Sequence, residues 1–152
     1  MIQRGIFDWL SPKKDKVYTF DATNKVYLIK LLKEKTLGDD YSIGDNFYKM
    51  PEKSWVSEVF AKKYKSFTSL ISSKYNRKFE CDDFAREAAY FCSLLENGVA
   101  CGEFWFFLST GQRHAINFFV CKDEELVFFE PQTYSIINLD IDEMRNCLNW
   151  RM

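Results

Sequence analysis

The sequence predicts an α+β fold, a helical N-terminal part followed by an antiparallel sheet, because its hydrophobic period changes once along the chain. Before Asn97-Gly98 the apolar residues recur at helical steps, and after it they fall in β-rich runs separated by short polar turns. With 152 residues, 47% hydrophobic and 18% aromatic, the chain suits one domain spanning residues 1–152, built on one substantial core.

Residues 1–40 are the least legible part. "KVYTFDATNKVYLIKLLKEKTLG" fits strands, or a helix capped near Thr23 and closed by Gly38; the helix is preferred. "GDDYSIGDNFYKMP" clusters Gly, Asp and Asn before Pro51 and reads as a loop. A helix from about Glu52 to Ser73 should follow, with Trp55, Val59, Phe60, Phe67, Leu70 and Ile71 as its apolar stripe and a register shift near Lys63. The clearest helix begins at Cys81, where Cys81, Phe84, Ala85, Ala88, Phe91, Cys92 and Leu95 share one face and Asn97-Gly98 supplies the stop. "GEFWFFLS", "RHAINFFVC" and "ELVFFE" then form a meander, "YSIINL" adds a strand, and Asp140 with Glu143 resembles the capping box of a terminal helix.

The charge balance excludes some partners. Lys and Arg number 21 against 22 Asp and Glu, a net charge of -1, so neither nucleic acid nor an anionic membrane is attracted in bulk. The run Lys62-Lys63-Tyr64-Lys65 reads as the solvated face of a helix. The start "MIQRGIFDWLSPKK" lacks a signal-peptide pattern and no stretch has the length to span a bilayer, so a soluble, cytoplasmic protein is expected. Five cysteines at 81, 92, 101, 121 and 147 contain no C-x-x-C pair, against both a disulfide framework and a zinc cluster.

One constellation could carry chemistry. A nucleophilic cysteine needs a thiolate-favouring environment, a base in reach and a group that orients the base. Cys81 sits at a helix start, where free N–H groups favour a thiolate, and His114, the only histidine, opens a strand. If Lys122-Asp123-Glu124 is a three-residue hairpin loop, Cys121 opposes Glu125, Gln132 opposes His114, and Glu130 lies diagonally beside His114 on the same face. Glu130 is then the orienting group. For the oxyanion donors the Cys81 N–H is one candidate, with Asn76 and Gln132 as side-chain candidates; Trp55 and Tyr48 read better as packing aromatics. Singly, Cys81 reads as core, His114 as a structural histidine and Glu130 as a solvated strand end; their order along the chain is what suggests a site.

These motifs, Cys81-Asp-Asp-Phe-Ala at a helix head, His114-Ala-Ile-Asn on a strand and Phe129-Glu130-Pro131-Gln132 on the next, resemble the papain-like cysteine protease domain at the C-terminal end of fungal agglutinins of the fairy-ring mushroom type. The resemblance covers about Asp45 to Trp150. It implies a papain-like fold, Cys81 as nucleophile, His114 as base, Glu130 as third member, and dependence on calcium. Calcium at Asp82 and Asp83 would relieve the repulsion that each nearby carboxylate exerts on a thiolate, about 3–4 kcal/mol at contact range in an intermediate dielectric. The competing account gives Asp82 and Asp83 only a role at the helix N-terminus. The agglutinins carry a sugar-binding β-trefoil ahead of this domain, for which this chain has no room, so lectin activity is not expected; the glutamine papain carries before its cysteine is also missing.

The expectation is therefore a thiol protease: a cysteine peptidase or amide hydrolase acting on a peptide or protein substrate through an acyl-enzyme. Two alternatives keep the scaffold. One is a catalytically silent papain-like binding module, and the other an acyltransferase or cell-wall amidase using the same triad.

Overall fold

The computed structural model describes residues 16–36, 38, 40–72 and 80–152. Strand β1 (Phe20–Asn24) leads directly into helix α1 (Lys25–Thr36), with Asn24 rather than Thr23 as the cap: its Oδ1 accepts the Tyr27 N–H at 3.0 Å. The expected loop after it holds two strands, β2 (Tyr41–Ser42) and β3 (Phe47–Pro51), and β3 pairs antiparallel with β1 as a separate two-stranded ribbon. Gly38 is not a left-handed cap. A Cβ there would lie 2.8 Å from Cys147 Sγ and 3.2 Å from Trp150 Nε1, so glycine is needed for a close approach that is invisible along the sequence.

The long helix is continuous but mixed: α2 (Lys53–Trp55), a π-helical turn Val56–Phe60, and α3 (Ala61–Ser72). The π turn inserts the register shift several residues before Lys63. Helix α4 (Cys81–Leu95) is followed by β4 (Cys101–Phe107), β5 (Arg113–Val120), β6 (Leu126–Glu130) and β7 (Ser135–Ile137). Helix α5 (Ile141–Arg145) is short and opens on a true capping box, Asp140 N–H to Glu143 at 3.0 Å and Glu143 N–H to Asp140 at 2.8 Å. The sequence reading has no counterpart for β8 (Cys147–Arg151), which pairs antiparallel with β4 and parallel with β2.

The main sheet therefore has the order β2-β8-β4-β5-β6-β7 and is mixed, not purely antiparallel; the fold class is α+β. Its two faces bury different side chains. Phe119, Cys121, Val127 and Phe129 pack with Phe60, Tyr64, Ala88, Phe91 and Cys92 of the helices, whereas Ile116, Phe118, Val120 and Phe128 pack with Leu28, Leu32, Phe104, Phe106 and Trp150. Alternation along each strand explains the division. Phe60 is central on the helical face, within 6.2 Å centroid distance of the rings of Trp55, Tyr64, Phe91, Phe119 and Phe129. Among the described residues no helix is long and apolar enough to cross a membrane.

Candidate functional site

The hairpin β5–β6 has the register that a three-residue loop requires: Val120 faces Leu126, Phe119 faces Val127, and Cys121 N–H donates to Glu125 O at 2.8 Å. The loop needs left-handed backbone at Asp123 (φ 58) and Glu124 (φ 60), and the Tyr27 hydroxyl holds Glu124 in place. Carrying this register back along the strands places His114 diagonally from Glu130. Their side chains meet, Nε2 to Oε2 at 2.7 Å, and are 19% and 12% exposed. The other carboxylate oxygen of Glu130 accepts the Gln132 backbone N–H at 3.0 Å, so both oxygens are occupied. The contact uses Nε2 of the imidazole and leaves the Nδ1 edge of the ring without a protein partner among the described residues. Phe106 packs edge-on against the imidazole at 5.8 Å.

Helix α4 is fixed to the sheet close to its start. Asn117 Nδ2 donates to the carbonyls of Ala85 at 2.7 Å and Gly102 at 3.2 Å, and the Tyr64 hydroxyl donates to Phe84 O at 3.3 Å and Glu87 at 3.1 Å. Burial pushes the Tyr64 hydroxyl well up, and burial raises the Glu87 carboxyl also. Because Ala85 meets Asn117 while Ala88 and Cys92 share a core with Phe119 and Cys121, α4 runs in the direction of β5. Cys81 is the first residue of α4, about 6 Å along its axis before Ala85, so helix start and strand start reach the same end of the molecule. On the strands, His114 and Glu130 continue the row of Ile116 and Phe128, whereas the body of α4 packs on the row of Asn117 and Phe119. No hydrogen bond joins Cys81 to His114 among the described residues, and Asn76 lies outside them.

The carboxylates around Cys81 have structural work. Asp83 accepts the Glu80 N–H at 3.3 Å, and Arg86 stands 3.6 Å from Asp82, 3.7 Å from Asp83 and 3.9 Å from Glu103. Among the described residues no three His, Cys, Asp or Glu side chains converge as a metal site. The remaining thiols are core groups: burial pushes Cys121 up to about 12 and Cys147 up to about 11, and raises Cys101 beside Cys92.

The sequence reading missed Asn117, a fully buried polar residue inside an apolar run, whose only signal was that it interrupts "RHAINFFV". It also missed a hollow of about 320 Å³ lined by Asp40, Tyr41, Ser42, Asn149, Trp150 and Arg151.

No family model matches the chain, and comparison with curated proteins finds no relative. Solved structures do resemble it. One, described as the "PSL1a-E64 complex", superposes with TM-score 0.61 at 20% identity over 86% of this chain and 51% of that one. Another is Polyporus squamosus lectin bound to the human-type influenza-binding epitope Neu5Aca2-6Galb1-4GlcNAc, with TM-score 0.60 at 20% identity over 86% of this chain and 49% of that one. This chain thus spans about half the length of the chains it resembles, and the likeness is one of fold. The fold is a fungal lectin-like α+β fold.

These findings correct the functional expectation. The similar structures are those of a lectin, which overturns the peptidase, hydrolase and peptide-substrate readings.

Proposed function

We propose that the chain is a binding module in which a papain-like arrangement of helix and strands is catalytically silent, and that its ligand is a carbohydrate. The observation that carries this reading is the fold likeness to Polyporus squamosus lectin over 86% of the chain, in a structure described with a bound glycan epitope. The glycan is a property of that protein; the chemistry of this chain's surface supports the same class here. The Nδ1 edge of His114 is open to a ligand hydroxyl, with Glu130 and the Gln132 backbone holding the ring still, and Cys81 lies at the same end of the molecule. Calcium has no part in the reading, because Asp82 and Asp83 are engaged by Arg86 and the helix start.

The test is binding of the purified full chain to an array of immobilised glycans, followed by calorimetric titration of any glycan retained. Saturable binding of one glycan class is expected, and its weakening by His114→Gln would place the imidazole at the ligand. Retention of no glycan overturns the proposal.

A further inference from the structure

The hollow beside β2 and β8 differs from an ordinary surface dimple in how its walls are held and what they leave free. Its backbone is tied: Tyr41 pairs with Trp150 and Ser42 with Arg151, Trp150 N–H donates to Asp40 O at 3.2 Å, and Met152 N–H to Ser42 O at 2.8 Å. The strand pair behind it is stiff as well, because Tyr41 stacks on the buried Trp150 ring at 4.9 Å and 14° and carries the Lys33 ammonium 4.8 Å from its own ring.

The polar side chains, by contrast, are unspent. Among the described residues those of Asp40, Tyr41, Ser42 and Arg151 form no hydrogen bond or ion pair; Arg151 lies only over the Trp105 ring at 5.9 Å. Asn149 Oδ1 is buried with no hydrogen-bond partner. Buried polar atoms are nearly always satisfied, so this orphaned amide beneath the hollow is one that its neighbours do not hold in place. Ligand pockets are mostly apolar, with a few polar groups, and this one reverses the proportion. Ser42 and Arg151, which pair on one face of β2 and β8, and the exposed Asp40 edge about 320 Å³ and match a small ligand whose surface is mainly hydroxyl groups.

We propose that this hollow is a binding site for one sugar residue, with Asp40 accepting from ring hydroxyls and Arg151 donating to a ring or substituent oxygen. The proposal rests on the carbohydrate reading above and adds a site to it. Asn149 pairs with Trp105 and Trp105 with Ala115, so the hollow sits about 10 Å, two strand spacings, from the strand of His114, and variants at the two places report separately.

The experiment titrates the glycan retained by the wild-type full chain against Asp40→Asn, Arg151→Ala and, on the outer face of α4, Leu94→Ser, with a thermal melt of each. The expected result is an affinity loss of about tenfold or more for Asp40→Asn and Arg151→Ala, the scale of a lost charge-assisted hydrogen bond, and none for Leu94→Ser. Asp40 is exposed and makes no side-chain bond, so its variant decides the matter if Arg151→Ala also lowers the melting temperature. If the glycan binds but Asp40→Asn stays within about twofold of wild type, the site is wrong and the carbohydrate reading stands. If the wild type binds no glycan, both fall.

Discussion

Two polar regions of one sheet, the His114–Glu130 pair on the β5–β6 hairpin and the hollow between β2 and β8, differ in who satisfies their hydrogen bonds. Glu130 spends both oxygens inside the protein, on the imidazole and on the Gln132 N–H. Asp40, Arg151 and Asn149 Oδ1 spend nothing there. A satisfied group makes the protein rigid and costs stability when removed, whereas an exposed group without partners, such as Asp40, contributes little to the fold and is available to a ligand. The same residue chemistry thus does different work according to its partners.

Alkaline pH sharpens the comparison most, because each region has one buried thiol. Cys121 ends the β5 side of the hairpin and is pushed up to about 12, and Cys147 begins β8 and is pushed up to about 11. The unfolded thiols release their protons near 9.0, so between that pH and 11–12 the folded state holds more protons than the unfolded one. Stability must therefore fall as pH rises above 9.0, read as a falling urea midpoint, and Cys147→Ala should flatten the part of the slope below about 11.

Gly102→Ala strikes the wall of the hollow. Its Cβ would lie 2.0 Å from the Arg151 carbonyl oxygen, a backbone atom, so β8 must move from β4 at a cost of about 3 kcal/mol or more in urea unfolding. Stability within error of wild type would show that β8 is loosely paired.

Glu130→Ala leaves His114 Nε2 and the Gln132 N–H without acceptors and should cost about 2 kcal/mol. Asn117→Ala removes donors to Ala85 and Gly102 but also an unsatisfied oxygen, and should cost about 1–2 kcal/mol. Asp40→Ala should stay within about 0.5 kcal/mol, as for a surface group without partners. An Asp40→Ala loss as large as that of Glu130→Ala would break the contrast between the regions.

Legibility in the sequence followed the range of the interactions. Helix α4 and the hairpin β5–β6 were readable because their signals are local: a helical stripe from Cys81 to Leu95 ended by Gly98, and a three-residue loop that leaves one register. That register also placed Glu130 beside His114 before any coordinates. Strand β8 was not readable, since "CLNWR" is short and its partners β4 and β2 are distant along the chain. The ribbon β1–β3 hid in a segment whose Gly, Asp and Asn content reads as loop, because β pairing depends on a partner more than on intrinsic preference. The peptidase expectation, drawn from residue types and their order, is overturned by the fold likeness to a lectin, which no local signal in the sequence carries.

By itself, the sequence determined the α+β class, the strongest helix, the hairpin register and the diagonal of His114 and Glu130, all consequences of periodicity and loop length. Tertiary structure alone decided the mixed order of the sheet, the clamp of Asn117 on Ala85, the glycine requirement at 38 and 102, and the hollow that joins Asp40 to Arg151. Each of these depends on side chains or strands far apart in the chain meeting at one place, and only the packed core sets those distances.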